Sequence, residues 1–258
     1  MNKEKILIVH GWMHSGKRYE QLKLDMEKSG KYEVVIYEFP GFGESRAKYY
    51  FNILEQYKNE LEKELQSKEY DYVIGHSMGG NILLRILSDN SYETKLILLS
   101  PEYGGIDILK PLIVFYPLLF VILFLVQKIK SPLTTFLIRM SALFTINDWK
   151  KIDEQIVLDT RRASTMVALN AMMELAWDSW NVAPKKWENG KIYLILGEND
   201  RIIKRNKMNR MMKQIPNIRV HCIPKIGHSA VLENYEELLK VLDIIMEGNN
   251  EAEKEFNF

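Results

Sequence analysis

Apolar residues fall along this chain in two alternating rhythms. Short, nearly continuous apolar runs stand at Ile6–Val9, Val34–Glu38, Tyr72–Ile74, Lys95–Leu99, Lys191–Leu196 and Arg219–Ile223. Between them lie segments whose apolar positions recur at helical spacing, at about Gly16–Ser29, Asn52–Ser67, Ser77–Asp89, Lys204–Ile215 and Ser229–Met246. Runs without polar alternation are what a strand shows when both faces of its sheet are covered. Strand and helix taking turns predict an α/β fold: a mostly parallel sheet of about six strands flanked by crossover helices.

The rhythm breaks between Pro101 and Trp187. There Ile152, Ile156, Ala163, Val167, Ala171 and Leu175 recur at helical intervals with no strand pattern between them. The stretch is too long for an ordinary connection, so it is expected to be a set of amphipathic helices inserted after the fourth strand, acting as a cap or lid. Within it, Leu112–Val126 is apolar throughout and interrupted by Pro117. A membrane span needs roughly 20 apolar residues, and one crossing here would put a bilayer between strands of a single sheet. The run is therefore expected to line an apolar pocket or to lie on a membrane surface, with the pocket preferred.

Composition narrows the class without choosing the chemistry. With 258 residues the chain can bury a sizeable core, and 47% hydrophobic with 27% charged residues is ordinary for a globular protein. The 35 basic and 34 acidic residues nearly cancel, so nothing points to nucleic acid as a partner. The one cysteine, Cys222, leaves no intramolecular disulfide and fits a reducing compartment. The first residues lack the apolar length of a secretory signal and pass straight into the first strand, so the expected location is cytoplasmic.

The sharpest chemical signal is Gly75-His76-Ser77-Met78-Gly79-Gly80, between a predicted strand and a predicted helix. Serine on such a turn projects its hydroxyl from the carboxyl end of the sheet, at a helix N-terminus that favours developing negative charge. A serine nucleophile needs a base. Of His10, His14, His76, His221 and His228, the last sits in a loop after the final strand, where sheets of this kind place their chemistry. His76 is expected to point away from the Ser77 hydroxyl and His221 to be structural. The base in turn needs a carboxylate. Asp200, in Gly197-Glu198-Asn199-Asp200 after the fifth strand, fits that role, with Glu198 as its competitor. Acyl transfer also requires oxyanion donors. The backbone N–H groups of Met78 and of Trp12, in the His10-Gly11-Trp12 loop, are the candidates.

Together with Pro40-Gly41-Phe42-Gly43-Glu44-Ser45 and Gly227-His228, these motifs resemble the α/β-hydrolase family over nearly the whole chain outside the insertion. The resemblance implies nucleophile Ser77, acid Asp200, base His228 and oxyanion donors Trp12 and Met78, with a helical cap and no cofactor. It also implies a division into core (1–103), cap (104–187), second part of the core (188–247) and polar tail (248–258). Two departures stand out. The chain opens on the strand before the oxyanion loop, so six strands are expected where many relatives have eight, and Glu38 stands where many have aspartate. The expected activity is hydrolysis of a small, apolar carboxylic ester through an acyl-enzyme on Ser77. Thioester, lactone, amide or C–C bond hydrolysis and acyl transfer remain open with the same residues, as does a non-catalytic small-molecule-binding role. Peripheral membrane contact through the cap is the one further partner expected, and the oligomeric state stays open.

Overall fold

A computed structural model describes residues 3–89, 94–179, 192–215 and 218–248. Six strands, β1 (Glu4–Val9), β2 (Tyr32–Tyr37), β3 (Tyr72–His76), β4 (Lys95–Leu99), β5 (Ile192–Gly197) and β6 (Arg219–Ile223), form one sheet in the order β2-β1-β3-β4-β5-β6. Every adjacent pair is parallel. In the middle of the sheet Ile8 lies between Ile36 and Ile74, and Ile74 pairs onward to Ile97. The side chains of Ile6, Leu7, Ile8, Val9, Ile74, Ile97, Leu98 and Leu194 are fully buried. Such runs have no solvent face, and each buried Leu, Ile or Val contributes about 1.5–3 kcal/mol relative to exposure.

Helices cover both faces. On one, α2 (Ile53–Ser67), α3 (Met78–Asp89) and α8 (Arg205–Gln214) pack Leu61, Leu83 and Met211 against Leu7, Val73 and Leu196. On the other, α1 (Glu20–Lys28) and α10 (Tyr235–Glu247) pack Leu22, Leu238 and Leu242 against Ile6, Ile8 and Ile195. Two predicted helices are subdivided. The first turn of Gly16–Ser29 is a 3-10 turn, Gly16–Tyr19. The last segment breaks at Asn234 into α9 (Ala230–Glu233) and α10, because the Asn234 side chain accepts the Glu237 N–H and starts a new helix.

Between β4 and β5 run a 3-10 segment (Asp107–Phe115), α4 (Tyr116–Lys128), α5 (Pro132–Ala142), a short 3-10 turn (Trp149–Lys151), α6 (Glu154–Arg162) and α7 (Thr165–Ala176). Pro111 precedes the long apolar run inside the 3-10 segment, and Pro117 divides it, sitting in the first turn of α4, where its missing N–H costs nothing. The end of this span, from residue 180, and the tail from residue 249 fall outside the described residues, as does Lys191 of the predicted fifth strand. Among the described residues no helix is long and apolar enough to cross a membrane.

The expectation that Leu112–Val126 lines a pocket is corrected. Its side chains are turned largely outward: Val114 is 80% exposed, and Leu118, Val121, Ile122 and Leu125 are also exposed. Leu123 and Val126 pack partly buried against the core, and the fully buried side chain of α4 is polar. Buried Gln127 donates to the carbonyls of Thr160 and Ala163 and accepts from the Thr165 hydroxyl.

Candidate active site

Three sequence-distant side chains meet at the carboxyl ends of β3, β5 and β6. Ser77, directly after β3, has φ +50°, a left-handed conformation that a side chain tolerates only when the surroundings hold it. They do so here: the Ser77 N–H donates to the Leu99 carbonyl at 3.0 Å, and its carbonyl accepts from the Asn81 and Glu102 N–H groups at 3.0 and 3.1 Å. The flanking glycines make the turn sterically available. A Cβ on Gly79 would sit 2.6 Å from the Val9 carbonyl oxygen, and one on Gly75 would sit 2.5 Å from Leu83 Cδ1. The resulting bend leaves the serine hydroxyl at the head of α3.

His228 reaches that hydroxyl from the loop after β6. Its Nε2 lies 2.8 Å from Ser77 Oγ, and its Nδ1 lies 2.8 Å from Asp200 Oδ2. Both rings of contact are sheltered, with Ser77 8% and His228 5% exposed. Asp200 hangs from the turn after β5, where its Oδ1 accepts from the Ile202 and Ile203 N–H groups at 2.8 and 3.0 Å. Burial alone would raise its carboxyl. The facing His228 ring, the hydrogen bond from that ring and the two backbone donors outweigh burial and hold the carboxyl below its ordinary value. An ionised carboxylate only accepts, so the neutral ring carries its proton on Nδ1 and presents a lone pair on Nε2 to the serine. Glu198, the competing acid, instead accepts from the Lys225 N–H at 3.0 Å and stays outside this chain of bonds.

The loop after β1 runs along the serine. A Cβ on Gly11 would lie 3.2 Å from Ser77 Cβ. Among the described residues no protein acceptor is recorded for the Trp12 or Met78 N–H. His10 pins this loop: its Nε2 accepts from the Phe39 N–H at 3.0 Å, so its Nδ1–H donates to the Gly11 carbonyl at 2.8 Å. The Trp12 indole N–H donates to the Ala168 carbonyl of α7 at 2.8 Å, tying the loop to the inserted helices. Glu38 is a loop brace, accepting from the Gly16 and Glu44 N–H groups at 2.8 and 3.0 Å.

Three further groups carry no local signal in the sequence. His76 touches His228: its Nε2–H donates to the His228 carbonyl at 3.1 Å. Its Nδ1 therefore accepts the Tyr19 O–H at 3.0 Å, and Tyr19 accepts from His14 Nδ1 at 3.1 Å. Burial above all, then the neighbouring His228 ring, pushes His76 down to about 3, which keeps this relay neutral. Burial likewise lowers His10 and His14. His221 is buried within β6, where it pairs in register with Ile195 of β5.

Behind the serine, buried Asn81 donates to Glu102 Oε2 at 2.7 Å and to Asp178 Oδ2 at 2.8 Å. Burial, then the Asp178 charge, pushes the Glu102 carboxyl well above its ordinary value, favouring the neutral acid. Across the site, Asp159 of α6 takes Arg18 Nη2 at 2.6 Å and the Ser15 hydroxyl at 2.5 Å, with both charged side chains almost fully enclosed. The inserted segment also meets His228 directly, since the His228 N–H donates to the Thr145 carbonyl at 3.0 Å. It meets the β2 loop as well, where the Ser164 N–H donates to the Gly41 carbonyl at 2.7 Å.

Comparison with known proteins places this arrangement in company. Residues 1–235 match the family model Hydrolase_4, described as serine aminopeptidase, S33. No curated protein matches the sequence. Solved structures similar to it include an esterase from Exiguobacterium antarcticum, with a TM-score of 0.74 at 16% identity, covering 95% of this chain and 92% of that one. The N-formylmaleamic acid deformylase of Pseudomonas putida aligns with a TM-score of 0.70 at 17% identity, over 93% and 92% of the two chains. A 2-hydroxy-6-oxo-6-phenylhexa-2,4-dienoate hydrolase from a Rhodococcus species gives 0.70 at 16% identity, over 95% and 91%. At these identities the likeness is one of fold.

Proposed function

The chain belongs to the α/β-hydrolase family, and from that premise we propose that it is a serine hydrolase cleaving a carboxylic ester through an acyl-enzyme on Ser77. The observation that carries the reading is the unbroken bond sequence Ser77 Oγ, His228 Nε2, His228 Nδ1 and Asp200 Oδ2, with 2.8 Å at each link between residues. Each group has the state its role requires. The carboxylate is ionised, it fixes the Nδ1–H tautomer, and the free Nε2 lone pair is aimed at the serine proton.

Attack of Ser77 Oγ on the ester carbonyl passes its proton to His228, and the forming oxyanion is received by the Trp12 and Met78 N–H groups. His228 then protonates the departing alkoxide. Water, activated by the same imidazole, attacks the acyl-enzyme and releases the acid and Ser77. Ester cleavage asks the least of these groups, because an alkoxide leaves more readily than an amide nitrogen or a carbanion, although the same imidazole can protonate any of them. With esterases among the similar structures, this is why an ester is preferred to an amide or C–C bond. Helices α4–α7 act as a cap over this centre, braced on the β1, β2 and β6 loops through Asp159, Ser164 and Thr145.

Ser77→Ala tests the reading with p-nitrophenyl esters and a fluorophosphonate probe. The expected result is loss of turnover by about four orders of magnitude or more with an unchanged melting curve, and probe labelling at Ser77 in the parent only. Turnover that survives the substitution, or labelling elsewhere, overturns it.

A further inference from the structure

The surface of α4 and α5 reverses the usual distribution of polarity. Of the 21 exposed large hydrophobic side chains in the described residues, 16 lie between Ile108 and Trp149. They are ordered. Leu118, Val121, Ile122, Leu125 and Ile129 follow offsets of three, four, seven and eleven along α4 and its end, and Leu133, Phe136, Leu137, Met140 and Phe144 repeat the same offsets along α5. Each set is one face of a helix, and both faces look outward. Turned inward are polar Gln127 and Thr134 together with Ile138, while Leu123 and Val126 are partly buried against the core. Trp149 extends the patch, its ring 6.2 Å from that of Phe136. A folded domain rarely leaves so concentrated an apolar surface bare unless something binds there.

Charge identifies the occupant. Residues 108–147 contain four basic side chains, Lys110, Lys128, Lys130 and Arg139, and no acidic one. Exposed Lys128 and Lys130 sit at the α4–α5 turn, and exposed Lys150 and Lys151 flank Trp149. Among the described residues none of these four lysines has a carboxylate partner. Apolar side chains bordered by unpaired lysines match the interface of a bilayer carrying anionic headgroups, where the lysines meet phosphates and the aliphatic and aromatic groups enter the acyl boundary. A 13-residue α4, about 20 Å long, lies along such a surface and does not span it.

We propose that the outward face of α4 and α5 docks this protein peripherally on an anionic lipid membrane. The docked face runs directly into the site, because the segment leaving α5 supplies the Thr145 carbonyl that holds the His228 N–H. Docking rests on the surface alone and stands whether or not Ser77 is a nucleophile.

Flotation with vesicles tests it, using the full chain and two compositions: phosphatidylcholine alone, and equal parts of phosphatidylcholine and phosphatidylglycerol. The parent protein should float with the mixed vesicles and much less with the neutral ones. Combined Leu118→Ser, Ile122→Ser and Leu125→Ser should lower the bound-to-free ratio roughly tenfold or more, since each change removes buried apolar area. Combined Lys128→Glu and Lys130→Glu should abolish the preference for the anionic mixture. Both variants should keep the melting temperature and the turnover of a short, water-soluble ester, which separates docking from folding and from catalysis. Absence of flotation with either vesicle, equal flotation with both, or undiminished flotation of the serine variant overturns the proposal. So does a light-scattering result in which the parent is a dimer that the serine variant dissolves and no vesicle is bound, which would assign the face to a second copy of the chain.

Discussion

The carboxyl edge of the sheet and the outer face of α4–α5 invert the ordinary rule in opposite senses. At the sheet edge polar and charged groups are buried: Ser77, His228, His76, His10, Asn81, Glu102, Arg18 and Asp159. There the cost of desolvation is offset by partners, nearly every group holding a hydrogen bond of defined direction. Arg18 Nη1 is an exception, a buried donor with no partner among the described residues. On α4 and α5 apolar groups are exposed, with little contact beyond that of neighbouring side chains such as Phe120 with Phe124 and Phe136 with Trp149. The difference teaches what each region is for. A buried, satisfied polar network fixes atoms in place and is costly to disturb, whereas an exposed apolar face adds little to folding and gains its energy only when covered.

Three measurements break or sharpen that contrast. The largest effect is expected from Asp200→Asn. The amide keeps an oxygen for the Ile202 and Ile203 N–H groups but presents a donor to His228 Nδ1, forcing the ring into the wrong tautomer. Ester turnover should fall by about three to four orders of magnitude with the fold retained, the loss known for this change in serine protease triads. Activity within tenfold of the parent would remove Asp200 from the site.

The second sets the two regions side by side in denaturant. Asp159→Ala strands the enclosed Arg18 guanidinium and should cost about 3–5 kcal/mol. Leu125→Ser, on the open face, should stay within about 0.5 kcal/mol. Equal losses would mean that the α4 face is covered in the folded chain.

The third and smallest effect is a slope with pH. The folded protein keeps His76 neutral down to about pH 3, while an unfolded chain takes up a proton near its ordinary 6.5. Below 6.5 the unfolded state therefore binds more protons. His76 contributes its full stability above that pH and loses up to about 1.4 kcal/mol per unit as pH falls toward 3. Stability of the parent and of His76→Asn, followed from pH 7 to 4, should diverge in slope by that order. Parallel curves would place His76 outside the buried relay.

The site was legible where chemistry is announced locally. Ser77 was marked by its glycines and by strand before and helix after, and His228 and Asp200 by loops that follow strands. The strands were legible because a run such as Ile6–Val9 has no polar position to turn toward water. Other features had no such marker. Arg18 and Asp159 are separated by 141 positions, and nothing in either neighbourhood names the other. His76 was readable as a non-base but not as a donor to the His228 carbonyl, since that bond depends on where the β6 loop lies. The α4 run misled because helical periodicity locates a face only when one side is polar. With Leu, Val, Ile and Phe on nearly every side, inward and outward were equivalent until the end of α6 and the turn after it supplied carbonyls for Gln127.

From its amino acids alone this protein's strand–helix alternation, its parallel sheet and the residue types at the strand ends were already determined, because burial pattern and turn chemistry act over a few neighbouring residues. Tertiary structure decided which groups face each other: the buried pair of Arg18 and Asp159, the histidine relay behind His228 and the outward apolar face of α4 and α5. Those depend on distances between elements remote in the chain, and desolvation and hydrogen-bond direction take their values only once the elements have packed.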